Sequence, residues 1–568
     1  MLIFKNKAAS IVSAAVNKLW GQDVTSSDVA DMFEYPPDPA MGDIALPCFK
    51  LSRTLKKSPV MIADAISDAL DDSVFDKVES VGGYLNLTAS SDFLKESLLG
   101  IIEEGERYGS SDEGKGKTVT FDYSSPNICK PFHIGHLGTT VIGHSLKLLH
   151  EFAGYKCIGI NHLGDWGTQF GKQIVAFRKW GDREAVERIG IDELVRLYVK
   201  FHEEAEKDPS LDDEARAEFH KLEEGDPDNI ALWQWFVDVS LEEYKNTYRQ
   251  LNIEFDYYTG ESFYIRNGLG MKQVDSLKEK GLLKPDDGAY IVDLSEYDMP
   301  PCIILKKDGS TIYHTRDIAA AVYRKETYDF SKSVYVTSAQ QSLHFAQLFK
   351  VIELMGYDWY KDLVHIPYGT VSIDGAKLAT RTGNVVLLKD LFAKSIEKVT
   401  SIIKEKNPDL EDIESTAEAV GVGAIVFLYL SNNRIKDINF NLENALSFDG
   451  NTGPYAQYTY ARTCSVLEKA KPEGTCGSVT VPEESDVIKS LLKFPEKVAQ
   501  ALEDYEPSVI TRYIIEVCTS FNRFYHACQI LKADDPEVKN FRLTLTLAVN
   551  NVLRTALHLI CMKTPSKI

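Results

Sequence analysis

Two histidines three residues apart, His133 and His136, flank Ile134 and Gly135 at the end of the stretch Ser124-Ser125-Pro126-Asn127-Ile128-Cys129-Lys130-Pro131-Phe132-His133-Ile134-Gly135-His136. Before it stand the β-branched and aromatic residues Thr118 to Tyr123, and after it Val141, Ile142, Leu146, Leu148, Leu149 and Phe152 form an apolar stripe at helical spacing. The histidines therefore sit on a strand-to-helix turn. Backbone N–H groups and the positive end of a helix dipole favour an anion there, Gly135 permits close approach, and imidazole N–H groups donate to phosphate oxygens. That is the chemistry of a triphosphate site. The pair alone could be two metal ligands or, more simply, two capping or surface histidines, and it is the strand-turn-helix context that favours the anion. His144 follows, but no His, Cys or carboxylate is spaced to complete a zinc signature.

The four letters His133 to His136 match the HIGH motif of the class I aminoacyl-tRNA synthetases, and the longer string resembles the arginine-specific branch of that class. The resemblance continues in order through Leu163 to Gly171 (LGDWGTQFG), Thr259 to Tyr264 (TGESFY), Asp308 to Ala321 (DGSTIYHTRDIAAA) and Gly450 to Arg462 (GNTGPYAQYTYAR), so it covers essentially the whole chain. It implies ATP-dependent activation of L-arginine and its transfer to tRNA(Arg), with ATP as a substrate carrying Mg2+ and with no structural zinc. It also implies that Ser125, Asn127 and His136 contact the backbone end of the amino acid, that Gln341 faces the substrate, and that Glu261, Tyr313 and Asp317 hold its side chain. His133, Gly135, His136, Lys377 and Arg381 are then expected around ATP, with His133, His136, Lys130 and Lys377 as the catalytic set. Two other classes remain open at this point: a non-catalytic synthetase-like tRNA-binding protein, which the intact HIGH turn argues against, and a class I enzyme of another specificity.

A guanidinium is planar and permanently charged, so its capture needs carboxylates that accept paired N–H bonds. Tyr313 and Asp317 are four apart and share a face if Ile312 to Tyr323 is helical, as Ala319, Ala320 and Ala321 support. The second phosphate element of the class reads KMSKS, whereas here Lys377-Leu378-Ala379-Thr380-Arg381 keeps the first lysine and has Thr380 in place of the second. Lys130, three residues before His133, is the candidate to replace the missing charge.

The elements that must position these groups alternate strand and helix from Thr118 onward, with further strands at Cys157 to Ile160 and Val334 to Val336 and a helix bearing Phe345, Leu348, Phe349 and Ile352. The expected fold is α/β: a Rossmann-type doubly wound parallel sheet whose ligands bind at the strands' carboxyl ends, with a small α+β N-terminal domain and an all-α C-terminal bundle. The expected boundaries are 1–115, 116–390 with a helical insertion at about 175–255, and 391–568. The segment from Gly109 to Thr118 nearly spells a P-loop, but Gly116 stands where a magnesium-binding Ser or Thr belongs and a strand follows, so it reads as a solvated linker. In the C-terminal part Tyr455, Tyr458, Tyr460, Arg462, Phe521, Arg523, Phe524 and Tyr525 resemble the family's anticodon-binding bundle. Aromatics at helical spacing are more often core than base platforms, so none is singled out as an RNA contact.

Composition agrees with a multidomain globular enzyme: 568 residues exceed what one core supports, and 44% hydrophobic with 26% charged residues leaves little room for disorder. No run of 18 or more apolar residues is evident, and the first residues read as an amphipathic helix, so no membrane partner is expected. Nine scattered cysteines without a C-x-x-C pair fit a reducing cytoplasm. The net charge of -21 does not exclude a nucleic-acid partner, because 63 basic residues can be grouped on one face. A monomer is expected.

Overall fold

The computed structural model describes residues 1–373, 376–377, 386–474 and 476–568. The N-terminal part packs the long helix Leu2–Trp20 and the helix Pro59–Ala69 near a three-stranded antiparallel sheet in which Tyr84–Ala89 lies between Ile44–Pro47 and Phe75–Val81. Local signals set these ends. Gly21 ends the first helix in the left-handed region at φ 63°, and Ser58 caps the second with Pro59 at its first position.

The middle of the chain builds one five-stranded parallel sheet from β1 (Thr118–Asp122), β2 (Lys156–Asn161), β3 (Tyr257–Tyr258), β4 (Lys332–Ser338) and β5 (Leu363–Tyr368). Its spatial order is β5-β4-β1-β2-β3, so the direction of winding reverses between β1 and β4. The crevice at that switch point, beyond the carboxyl ends, is where such sheets bind ligands. Helix α1 (Leu137–Phe152) joins β1 to β2, and five helices between Thr168 and Gln250, the last being α2 (Pro227–Gln250), separate β2 from β3. Helix α3 (Tyr313–Tyr328) leads into β4 and covers the residues read as helical from the sequence. A three-stranded antiparallel sheet, Leu283–Asp286, Ala289–Val292 and Cys302–Leu305, precedes α3 and was not legible in the sequence.

The C-terminal part is helical, as expected, and among its described residues carries one three-residue strand, Ile438–Phe440, which pairs in parallel with Val371–Ile373. Ile413–Leu430 is long and apolar enough to cross a membrane although Glu414 and Glu418 interrupt it, and 72% of it is buried inside the fold, where it packs between Leu388–Lys406 and Gly453–Lys469. Phe521 and Phe524 are core residues, while Tyr458 and Tyr525 are exposed with the Arg462 guanidinium 5.0 and 4.7 Å from their rings. The N-terminal part docks on this bundle through Lys5–Glu496 at 3.0 Å, Asp43–Lys489 at 2.7 Å and Glu106–Arg554 at 2.8 Å.

One buried ion pair ties the sheet to α3. Arg324, 1% exposed, meets Asp122 at the end of β1 at 2.7 Å, and the other Asp122 oxygen accepts from Ser125 Oγ at 3.0 Å. Removing one partner of a buried pair leaves an uncompensated charge. Asp122→Asn is therefore expected to lower unfolding free energy by about 3–5 kcal/mol in urea titrations. An unchanged midpoint would show that Arg324 does not depend on this carboxylate.

Candidate active site

The turn after β1 is held in an unusual conformation. Ser124 (φ 72°), Ser125 (φ 48°) and Cys129 (φ 59°) all lie in the left-handed region, which such residues seldom adopt. Hydrogen bonds fix it from both sides: Ser124 N–H donates to Thr139 Oγ1 at 2.9 Å, Ile128 N–H to Gly164 O at 3.1 Å, and Gly164 N–H to Pro126 O at 3.1 Å. A Cβ on Gly164 would stand 2.0 Å from Asn127 Oδ1, so the LGDWG stretch needs its glycine for close approach to the turn.

The two histidines share one electrostatic state. Gly135 N–H donates to His133 Nδ1 at 3.1 Å, and His133 N–H donates to His136 Nδ1 at 3.2 Å. A ring nitrogen that accepts from a backbone N–H carries no proton, so the assigned neutral tautomer has its proton on Nε2 in both rings. Burial, with Lys130 adding to it, lowers the His133 pKa, and burial next to His133 pushes His136 down to about 3. Both are thus neutral Nε2–H donors at neutral pH. Phe132 stacks on His136 at 4.9 Å and 12°, and a Cβ on Gly135 would stand 2.8 Å from the His133 ring, so the glycine also serves to let that ring fold back.

The acidic residues converge from β2, β3 and α3. Asp165 caps the short helix Glu261–Arg266, accepting from Ser262 N–H at 2.8 Å and from Ser262 Oγ at 2.6 Å, while Glu261 N–H donates to Leu163 O at 3.0 Å. Glu261 is held at the sheet's carboxyl edge by these contacts, and its Oε2 is engaged by Arg316 Nη1 at 2.6 Å, both side chains being largely buried. Burial raises the Glu261 pKa and Arg316 opposes that rise only in part. Asp317 Oδ2 accepts from His344 Nε2 at 2.6 Å, with His162 Nε2 3.8 Å from Oδ1. Burial alone would raise the Asp317 pKa, but the His344 hydrogen bond and the neighbouring His344, His162 and Arg324 charges hold it below the usual value. Tyr313 opens α3 at 67% exposure with the Arg316 guanidinium 5.5 Å from its ring, so Tyr313 lies at the rim and Asp317 deeper. Gln341 is exposed on the single turn Ala339–Gln341 at the end of β4. Sequence reasoning did not single out Arg316, His162 or His344. The first lies inside the quoted Asp308 to Ala321 string and the second directly before Leu163, whereas His344 carries no local signal.

Comparison with known proteins bears on this arrangement along the whole chain. Residues 98–442 match the family profile "tRNA synthetases class I (R), catalytic domain", 456–568 match "DALR anticodon binding domain", and 6–89 match "Arginyl tRNA synthetase N terminal domain". The chain is 48% identical over 574 residues to an arginine–tRNA ligase of Halothermothrix orenii, with 100% of both chains covered. It is 49% identical over 553 residues to that of Clostridioides difficile, covering 96% of this chain and 97% of the relative. The chain belongs to the arginyl-tRNA synthetase family. The fold agrees: the Thermus thermophilus arginyl-tRNA synthetase superposes with a TM-score of 0.83 at 25% identity, covering 99% of this chain and 100% of that one.

In this class I synthetase the turn after β1 faces a cleft of about 1280 Å³ lined by Asn127, Lys130, His133 and His136 together with Asp192, Arg196 and His202 of the insertion. The Lys130 side chain is exposed to it. The chain that follows the KMSKS-like segment lies beside the turn: Ile134 N–H donates to Val386 O at 3.1 Å and Leu388 N–H to Phe132 O at 3.0 Å. Of that segment, Lys377 is described only by its backbone, paired with Ser372, and Thr380 and Arg381 lie outside the described residues.

Burial holds His136 and His144 at about 3 and His150 at about 4, all below the ordinary histidine value near 6.5. The folded state keeps these rings neutral while the unfolded chain takes up protons below about pH 6.5. Their contribution is therefore fully present above about 6.5 and is lost as pH falls toward 3–4, by up to about 1.4 kcal/mol per ring per pH unit. Urea midpoints are expected to drop between pH 7.5 and 5. A midpoint that stays level would mean that these rings protonate in the folded synthetase.

Proposed function

We propose that this enzyme activates L-arginine with ATP and esterifies it onto the terminal adenosine of tRNA(Arg), using the residues gathered at the β1–β4 switch point. The observation that carries this reading is the pairing of two opposite sites on one edge: neutral Nε2–H donors at a helix N-terminus, and two carboxylates, each engaged by a basic side chain, after β3 and in the first turns of α3. ATP enters as its magnesium complex. An oxygen of the arginine carboxylate attacks the α-phosphorus in line, the bond from that phosphorus to the bridging oxygen breaks, and pyrophosphate leaves. His133 and His136 donate to phosphate oxygens, Gly135 allows the approach, and Lys130, Lys377 and Arg381 offset the charge that develops on the leaving group. Ser125, Asn127 and His136 receive the backbone end of the amino acid. Glu261 Oε1 and Asp317 Oδ1 receive the guanidinium, with Tyr313 and Gln341 at the rim. In the second step the 2′-hydroxyl of the tRNA displaces AMP, and tRNA is expected to be bound before activation.

We assign residues 1–115 to contact with the outer corner of the tRNA, 116–390 to catalysis with a helical insertion at about 175–255, and 391–568 to the anticodon end. We assign the enzyme as a monomer, and nine unpaired cysteines support a reducing cytoplasm. Charging of tRNA with each of the twenty amino acids tests the reading: arginine alone should be attached. Charging by another amino acid, or none, would point to another specificity or to a non-catalytic binding protein. In the same assay Asp317→Asn should lower kcat/KM for arginine by about 10- to 150-fold with little change in the KM for ATP, the scale of one lost charge-assisted bond. Unchanged arginine kinetics would remove Asp317 from the pocket.

A further inference from the structure

Helix α2 closes the insertion and returns the chain to the sheet. Along one of its faces Trp233, Ser240, Tyr244 and Tyr248 recur at helical spacing, all of them buried, and each bonds a loop at the sheet's carboxyl edge. Trp233 Nε1 donates to Asp165 O at 2.7 Å, in the loop that caps the Glu261 helix. Ser240 Oγ accepts from Cys129 N–H at 3.2 Å. The Tyr244 hydroxyl lies 2.7 Å from the carbonyl oxygens of both Asn127 and Lys130. Tyr248 Oη lies 2.7 Å from Ser124 Oγ and accepts from Asn161 Nδ2 at 2.9 Å.

These contacts fall where the turn is conformationally costly. Cys129, at φ 59°, has its own N–H bonded to Ser240, and the carbonyls of Lys130, just after it, and of Asn127, two residues before it, converge on the Tyr244 hydroxyl. Ser124, at φ 72°, is held by Tyr248 and Thr140. Left-handed non-glycine residues persist only where surrounding bonds over-determine them. Burial raises the Tyr244 phenol well above its ordinary range, so it stays a donor.

We infer that Tyr244 is a positioning residue for adenylate formation: its hydroxyl holds Asn127 to Lys130 in the conformation that sets where Lys130, His133 and His136 meet the phosphates. The inference rests on assigning this turn to ATP. It makes the insertion helix part of the phosphate site, although no atom of Tyr244 reaches a reacting group. Tyr244→Phe keeps the ring that lies 5.5 Å from Phe132 and removes only the hydroxyl.

The test is single-turnover formation of arginyl-adenylate by the full-length enzyme with tRNA present, normalised by active-site titration and repeated over ATP concentration. Tyr244→Phe should slow the step about 10-fold or more while the KM for ATP moves by less than about three-fold. Adding Cys129→Gly, which makes the left-handed conformation accessible without a Cβ, should restore part of the rate. A merely structural hydroxyl would lower thermal stability and the active fraction while leaving the rate per active site intact. A variant within about two-fold of a competent parent, per active site, overturns the proposal alone. A parent that forms no arginyl-adenylate overturns the phosphate assignment, and the proposal with it.

Discussion

A guanidinium keeps its charge at any pH at which a protein is folded, so whatever receives it has to be an ionised carboxylate, and a carboxylate sunk in a cleft has to be stabilised before the ligand arrives. Glu261 and Asp317 are each engaged by a basic side chain through one oxygen, which outweighs burial at Asp317 and offsets it in part at Glu261. Arg316 engages Glu261 Oε2, and His344 engages Asp317 Oδ2. In the proposed reading the remaining oxygen of each is left for the substrate, with Arg316 offsetting in part the burial and the Asp317 charge that raise Glu261. Much of the middle domain serves this geometry. Asp165 fixes the helix that carries Glu261, and the Asp122–Arg324 pair ties α3, which carries Asp317, to β1.

The phosphate side solves the opposite problem. Its proposed ligand is an anion, yet the two histidines are kept neutral by burial, helped by Lys130 at His133 and by His133 at His136, so attraction there would come from oriented N–H groups, the helix dipole and the exposed Lys130. Donors that are already oriented need no reorganisation as charge develops on the leaving pyrophosphate. The left-handed turn that carries them is bonded from outside by hydroxyls of α2, which ties the insertion to the turn by geometry.

The strand–turn–helix that carries His133 and His136 was legible because its signals are local: a β-branched run, a proline turn and a helical apolar stripe. Asp317 was legible with Tyr313 because four residues span one helical turn. Arg316 and His344 were not, because their roles depend on pairings across 55 and 27 residues that no periodicity encodes. Ile438–Phe440 and the small sheet from Leu283 to Leu305 were missed because strands of three or four residues are too short for alternation to register. The C-terminal aromatics divide in a way that spacing could not resolve, with Phe521 and Phe524 in the core and Tyr458 and Tyr525 outside around Arg462. The resemblance to class I synthetases named the residues, and the structure supplies their hydrogen-bond partners and surroundings.

The central claim is that charge, more than shape, selects the amino acid. Citrulline has nearly the outline of arginine but carries a neutral urea group where arginine carries the guanidinium. The most direct test is ATP–pyrophosphate exchange in the presence of tRNA, with kcat/KM measured for both. Two half-paired carboxylates predict a preference for arginine of about 10²–10⁴-fold, since citrulline would leave buried charge unmatched. A preference below about 10²-fold would contradict the account, because a pocket that reads only shape reaches about that much against a near-isostere.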